Sequence, residues 1–171
     1  MRTHKYLPEE INRIITDRIS TFRFCSTKLS LLNLKKEGLS KNSYFYGDIS
    51  KDNFKVYKNE IMKSQIIQKL GLNIKEFSLL TLHRENSVDT KESLFLRLNY
   101  VNSEAKKIVV FPIHPRTRIA INKFGINLKK FKKIKIINPL GYFDTLSLIK
   151  NSDLMVTDSG GVQKESFYLR T

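Results

Sequence analysis

Short apolar runs alternate with amphipathic segments from residue 77 to the C-terminal end of the sequence. The runs FSLLTLH, IVVFPIH, KIKIINPL and LMVTD are bounded by turn residues and predict four β-strands. The segments between them carry helix signals, such as Pro115 at the start and Gly125 at the end of PRTRIAINKFG. Strands that alternate with helices predict a parallel sheet with helices on both faces, and continuous apolar runs are typical of strands covered on both sides.

The first third of the chain has a similar but shorter pattern. LPEEINRIITDRIS predicts a helix, TFRFCST a strand, and Thr27 the cap of a second helix that leads to the strand SYFYGD. One long polar helix is predicted from Asn53 to Leu70, and Asp89 with Glu92 predicts the start of a later helix. We therefore predict a domain boundary between Gly47 and Lys58.

The composition is that of a folded protein without a membrane segment. Hydrophobic residues make up 40% and aromatic residues 11% of the chain, which argues against disorder. No apolar run is long enough to span a bilayer, and the first residues lack the apolar stretch of a secretory signal. The single cysteine, Cys25, fits a reducing compartment. We predict a cytoplasmic protein with no membrane partner.

The charge is strongly positive, because 31 Lys and Arg residues face 16 acidic ones and give a formal net charge of +15. Such a charge can indicate a nucleic-acid partner. Lys, Asn and Ile are all abundant, however, so a base bias in the genome explains the charge without a selected partner. The sequence shows no RRM, KH or helix-turn-helix signature. We predict no nucleic-acid partner, and a nucleic-acid binder stays the last of the alternatives.

Polar residues follow each predicted strand directly. His83 and Arg84 follow the first of these strands, His114 and Arg116 the second, and a Ser-Gly-Gly turn follows the last. Ligands of open α/β sheets bind at the carboxyl ends of the strands. If the strands are parallel, both histidines and both arginines gather at one edge of the sheet beside that turn.

The turn Ser159-Gly160-Gly161 is a candidate anion site. Glycines allow a close approach to the backbone, and the first N–H groups of the following helix carry partial positive charge, which suits a phosphate or diphosphate. Glu165, one turn into that helix, is a candidate acceptor for sugar hydroxyls. Simple turn geometry is the competing interpretation of the glycines, and a structural role is the competing one for His83. Neither histidine has Cys or carboxylate partners at metal-ligand spacing, so we predict no metal site.

Five segments together resemble the non-hydrolysing UDP-N-acetylglucosamine 2-epimerases, and the resemblance covers nearly the whole chain. Their order and spacing also match the family, and the segments are PEEINR, LHREN, FPIHPRTR, PLGYFD and TDSGGVQKE. The resemblance implies a GT-B-type α/β fold of two Rossmann-like domains with the ligand between them. Residues 1–52 would be the tail of the N-terminal domain, and residues 53–171 an incomplete C-terminal, UDP-binding domain. The chain would thus correspond to about half of an enzyme.

The implied reaction is epimerisation at C2 of UDP-N-acetylglucosamine to UDP-N-acetylmannosamine, for the synthesis of cell-surface polysaccharide precursors. The family is thought to eliminate UDP and to add it back to the other face of a glycal. The resemblance implies a UDP-sugar substrate, no cofactor, and a homodimer for the complete enzyme. Three alternatives stay open: a non-catalytic UDP-binding remnant, an epimerase for a related UDP-diacetamido sugar, and a glycosyltransferase of the same fold.

The resemblance also implies roles for individual residues. Glu9 would be a catalytic carboxylate, and His83 would approach the diphosphate and the reacting centre. Arg13 would lie near the sugar or phosphate, and His114 would be a cleft histidine that some members use for a second, regulatory UDP-sugar. The remaining positions would bind substrate: Ser159, Gly160 and Gly161 the phosphates, Glu165 the ribose, and the backbone around Thr145 the uracil.

Overall fold

The computed structural model describes the backbone of residues 8–169 and the side chains of residues 10–169. The elements follow one another as α1 (Pro8–Ile19), β1 (Arg23–Cys25), α2 (Lys28–Lys36), β2 (Ser43–Phe45), α3 (Ile49–Val56), α4 (Lys58–Lys63), α5 (Ile66–Lys69), β3 (Phe77–Thr81), α6 (Glu85–Val88), α7 (Lys91–Glu104), β4 (Ile108–Pro112), α8 (Pro115–Phe124), a 3₁₀ turn (Leu128–Lys130), β5 (Ile134–Ile137), α9 (Tyr142–Asn151), β6 (Leu154–Thr157) and α10 (Gly160–Leu169).

The chain divides into two compact units, the first ending at Lys55 and the second beginning at Val56. In the first unit, β1 and β2 pair in parallel, and Thr27 caps α2 by accepting the Ser30 N–H at 3.0 Å, as predicted. The division lies near the predicted boundary at residue 53. Which domain of a larger protein each unit represents stays a prediction.

The second unit is built on a four-stranded sheet in the order β5-β4-β3-β6. All three strand pairs are parallel, so the predicted α/β architecture with a parallel sheet is confirmed. Leu80 and Phe111 lie on one face, in a buried cluster with residues of α7 and α8. Leu79 and Val110 alternate to the other face and are also fully buried. The predicted coverage of both faces explains why these strands are continuously apolar.

The single helix predicted from Asn53 to Leu70 is wrong. The segment forms parts of three short helices, and the backbone of Ser64 is extended between the second and third of them. The Ser64 hydroxyl donates to the Asp144 carboxylate of α9 at 2.6 Å and accepts the Ile66 N–H at 3.3 Å. A long-range contact therefore stabilises the break, and no local pattern indicates it.

Two further details concern helix ends and membranes. The cap of α7 is Thr90, which accepts the Ser93 N–H at 3.2 Å, and not the predicted Asp89. Gly125 ends α8 in the left-handed conformation, as its position predicted. Among residues 8–169, no helix combines the length and the hydrophobicity needed to cross a bilayer.

Candidate functional site

The strands β4, β3 and β6 are neighbours and end at the same edge of the sheet. His83 follows β3 and His114 follows β4, and their ring centroids are 5.2 Å apart with an angle of 33° between the planes. Leu82, just before His83, accepts a hydrogen bond from the buried Thr117 hydroxyl of α8. The two imidazoles that the sequence placed at one edge therefore lie side by side, and α8 supports the backbone beneath them.

Asp158 connects the end of β6 to the end of β3. Its Oδ2 atom accepts the backbone N–H groups of His83 and Arg84, both at 2.9 Å, and its Oδ1 atom lies 3.5 Å from His83 Nδ1. Burial raises the pKa of Asp158, but the two N–H groups, the Ser87 hydroxyl and the charge of His83 lower it by more, so the net shift is downward. Asp158 is thus an ionised anchor of the strand ends, which sequence reasoning missed although it lies within the TDSGG segment.

Ser159 is the cap of α10. Its carbonyl accepts the Gln163 N–H at 3.0 Å, and its hydroxyl oxygen accepts the Val162 N–H at 3.4 Å. The N–H groups of Gly160 and Gly161 lie in the first turn, where no carbonyl of the same helix is within reach. These two donors and the proton of the Ser159 hydroxyl are therefore available to an anion at the start of α10.

Neither glycine of this turn is required by the turn itself. The described glycines with positive φ are Gly38, Gly47, Gly71 and Gly125, so the turn glycines are not among them. A Cβ atom added at Gly160 would lie 3.7 Å from Arg84 Nη2, and one added at Gly161 would lie 3.8 Å from Ser159 Oγ. Both distances are ordinary contacts, so an alanine would fit. The turn itself therefore does not require glycine at either position, and the lack of side chains leaves open space beside the first N–H groups of α10.

The two candidate arginines of the edge differ in position. The Arg84 guanidinium lies against Gly160, at the start of α10. Arg116 forms an exposed ion pair with Glu85, 3.1 Å between Nη2 and Oε1. Arg84 is therefore the arginine that lies beside the glycine turn, and Arg116 braces α8 against α6.

Glu165 and Thr145 lie on the helices next to this edge. Burial raises the pKa of Glu165, and burial together with the negative charge of Glu165 raises the pKa of Tyr142. The Thr145 N–H and hydroxyl both donate to the Gly141 carbonyl, at 3.0 and 2.9 Å. A uracil held at this turn would therefore have to use other backbone groups of the start of α9.

The predicted site residues of the first unit are described within that unit. Arg13 pairs with Glu10 at 2.8 Å, and both line a cavity of about 880 Å³ together with Asp17 and Arg23. The side chain of Glu9 lies outside the described residues. Within the described part of the chain, no group of three or more His, Cys, Asp or Glu side chains is arranged to hold a metal ion.

Comparison with known proteins gives a consistent result. A family model described as UDP-N-acetylglucosamine 2-epimerase matches residues 2–171. The chain is 40% identical over 173 residues to a UDP-N-acetylglucosamine 2-epimerase of Methanococcus maripaludis, covering 95% of this chain and 47% of that protein. It is 36% identical over 168 residues to a UDP-2,3-diacetamido-2,3-dideoxy-D-glucuronate 2-epimerase of Pseudomonas aeruginosa, covering 95% of this chain and 45% of that protein.

A solved structure is similar to the chain as well. The crystal structure of the Methanocaldococcus jannaschii UDP-GlcNAc 2-epimerase in complex with UDP-GlcNAc and UDP superimposes with a TM-score of 0.87 at 37% identity, covering 98% of this chain and 48% of that one. The chain therefore spans about half the length of the relatives it matches, and the predicted Rossmann-like fold of the GT-B type is confirmed.

Proposed function

The chain belongs to the UDP-N-acetylglucosamine 2-epimerase family, and from this premise we propose that its second unit binds the UDP part of a UDP-sugar that is epimerised at C2. The substrate that we propose is UDP-N-acetylglucosamine and the product UDP-N-acetylmannosamine. The observation that carries the proposal is the pair Gly160-Gly161, which has ordinary helical geometry, leaves space where side chains would be, and lies beside the Arg84 guanidinium.

The groups at the edge of the sheet suit the departure of UDP as a leaving group. Negative charge grows on the diphosphate when the bond between C1 and oxygen breaks, and donors fixed in advance stabilise that charge. The N–H groups of the glycine turn, the Ser159 hydroxyl and the Arg84 guanidinium are such donors. We propose that His83 faces the same oxygens and that Glu165 accepts hydrogen bonds from the ribose hydroxyls.

Removal of the C2 proton requires a base, and we propose Glu9 for this task. A carboxylate can abstract such a proton only when it lies within hydrogen-bond distance of it. Glu9 is the first acid of PEEINR, and Arg13 follows it by one helical turn on α1. We further propose that Arg13 contacts the sugar or phosphate, that the complete enzyme is a homodimer, and that it acts in the cytoplasm.

A second candidate substrate is a UDP-diacetamido sugar acid. The Pseudomonas aeruginosa relative named for such a substrate is 36% identical to this chain, close to the identity of the N-acetylglucosamine epimerases. UDP is common to both substrates, so the residues of the second unit fit either one. Parallel assays with both UDP-sugars separate the two candidates.

The test is a pair of measurements on the purified chain. Isothermal titration calorimetry with UDP should give saturable binding, and the absence of binding at millimolar UDP would overturn the proposal. Proton NMR in deuterated water should then follow deuterium entering C2 of UDP-N-acetylglucosamine, with the chain alone and with the N-terminal part of a family enzyme added as a separate polypeptide. UDP binding without exchange in either sample would support the alternative of a non-catalytic UDP-binding protein.

A further inference from the structure

We propose that Asp158 is a positioning residue that fixes the orientation and the tautomer of the His83 imidazole. The purpose of this arrangement rests on the proposed function: an imidazole whose Nδ1–H is held by Asp158 turns Nε2 towards the ligand, and once that nitrogen is protonated it can donate to a diphosphate oxygen. The arrangement itself is a property of the chain without ligand, and it can be tested there.

The carboxylate of Asp158 has little freedom to move. Its Oδ2 atom accepts the N–H groups of two consecutive residues, His83 and Arg84, at 2.9 Å each. Its own N–H donates to the Thr81 carbonyl of β3 at 3.4 Å. The side chain is only 12% exposed. Hydrogen bonds to the last residue of β3 and to the two N–H groups that follow the strand therefore restrict the carboxylate, and with it the position of its second oxygen.

That second oxygen, Oδ1, is directed at the histidine. It lies 3.5 Å from His83 Nδ1, it is buried, and no described donor meets ordinary hydrogen-bond geometry at this atom. The Ser87 hydroxyl is a further donor to the Asp158 carboxylate. A buried carboxylate oxygen without a donor is costly, and His83 Nδ1 lies at the limit of hydrogen-bond distance from it. The carboxylate therefore favours the neutral tautomer in which Nδ1 carries the proton and Nε2 has the lone pair.

The neighbouring imidazole is held in the opposite tautomer. His114 Nδ1 accepts the Arg116 N–H at 3.2 Å, so the proton of a neutral His114 is on Nε2. With the rings 5.2 Å apart, the pair offers one acceptor, His83 Nε2, and one donor, His114 Nε2–H. A protonated His83 would donate from both nitrogens. Among the described residues, the charged groups at this edge of the sheet include Asp158, Arg84 and the ion pair of Glu85 with Arg116.

The experiment measures the tautomer directly. The chain is labelled with ¹⁵N in its three histidines, the signals are assigned with single His→Gln variants, and spectra are recorded at about pH 9, where free imidazoles are neutral. The imidazole nitrogen shifts should identify His83 as the Nδ1–H form and His114 as the Nε2–H form. An Nε2–H form of His83 in the unmodified chain would overturn the proposal without any variant.

Asp158→Asn is the decisive variant. The amide oxygen can keep the two backbone hydrogen bonds, while the NH₂ group now donates to His83 Nδ1, so His83 should switch to the Nε2–H form. The matched control is Asp153→Asn at the other end of β6, where the carboxylate pairs with Lys107 at 2.8 Å. That change should leave the His83 shifts as they are. An unchanged tautomer in a folded Asp158→Asn chain would overturn the proposal.

Binding of UDP by the same samples separates this inference from the proposed function. We expect Asp158→Asn to weaken UDP binding about tenfold, because the neutral amide does not stabilise the protonated His83 that forms a charge-assisted hydrogen bond to the diphosphate. Asp153→Asn should leave UDP binding unchanged. A tautomer switch in a chain that never binds UDP would leave the role of Asp158 intact and refute the proposed function. UDP binding by the unmodified chain, with no tautomer switch in Asp158→Asn, would support the proposed function and refute the role of Asp158.

Discussion

Gly160→Ala distinguishes a glycine that the turn requires from a glycine that a ligand requires. The φ angle of Gly160 is not positive, and the added methyl group would lie 3.7 Å from Arg84 Nη2, an ordinary contact. Replacing glycine by alanine at a compatible position restricts the unfolded chain and stabilises a protein by about 0.4–1 kcal/mol. We therefore expect the free energy of unfolding of the variant to equal or exceed that of the unmodified chain.

The effect on the ligand should have the opposite sign. The methyl group would occupy the space beside the Gly160 and Gly161 N–H groups, and a phosphate oxygen must come within about 3 Å of such a nitrogen to accept a hydrogen bond. A hydrogen bond to a charged group contributes about 1.5–3 kcal/mol. Loss of one such bond should therefore raise the Kd for UDP roughly tenfold to a hundredfold, since about 1.4 kcal/mol is a factor of ten.

Two titrations and one denaturation curve test this reasoning. Calorimetry should show weaker binding of UDP and unchanged binding of uridine, which has no phosphate, and urea unfolding should show no loss of stability. Gly141→Ala is the matched control, because it adds a methyl group at the start of α9 with nothing within 4 Å, and it should not affect binding of pyrophosphate. Unchanged UDP affinity in Gly160→Ala would refute the phosphate role of the turn, and lower stability would refute the claim that alanine fits.

Three other changes test the second unit. Glu165→Gln should reduce the pH dependence of the free energy of unfolding. Burial raises the pKa of Glu165 above its ordinary 4.5, so the unfolded chain releases this proton first, and stability falls as pH rises from about 4.5 towards the folded pKa. Urea midpoints of both chains between pH 4 and 7 measure the slope. Lys75→Met should lower the free energy of unfolding by about 1–2 kcal/mol, because the Lys75 ammonium donates to the carbonyls of Lys150 and Ser152 at the end of α9, at 3.0 and 2.7 Å. The exposed Lys106→Met is the control and should have no effect in the same urea assay. Thr117→Val should lower the free energy of unfolding by about 1–3 kcal/mol and weaken UDP binding, because it removes the hydrogen bond to the Leu82 carbonyl beneath the site. Thr117→Ser should restore stability and UDP binding in the same urea and calorimetric assays. Equal stability of the valine and serine variants would contradict this prediction.

The elements of the second unit were predictable because their signals are local. Pro115 and Gly125 mark the two ends of α8, and the apolar runs coincide with strands whose faces are both covered. The helix predicted from Asn53 to Leu70 failed for the opposite reason. Its break is stabilised by the hydrogen bond of Ser64 to Asp144, 80 residues further along the chain, and a helical pattern in the sequence does not record a contact at that distance.

The same distinction applies to the site. Parallel pairing brings the strand ends together, so the adjacency of His83 and His114 followed from the order of strands and helices alone. Asp158 was missed because its partners are backbone N–H groups 74 and 75 residues away, and a sequence lists side chains without indicating which backbone groups converge. Arg116 was expected at the ligand edge, but Glu85 offers it a carboxylate at 3.1 Å.

Under the proposed reaction, the two carboxylates Asp158 and Glu165 are poorly suited to removing the C2 proton. Asp158 already accepts two N–H groups, and its pKa is lowered, which makes it a weak base. Glu165 has a raised pKa but lies one turn inside α10, past the glycines that would hold the phosphates. Under the proposal, the second unit supplies cations, imidazoles and N–H groups to the departing UDP, and the absence of a suitable base in these two carboxylates agrees with the proposal of Glu9 as the base. Exchange of the C2 proton should accordingly depend on Glu9, while UDP affinity should depend on the glycine turn.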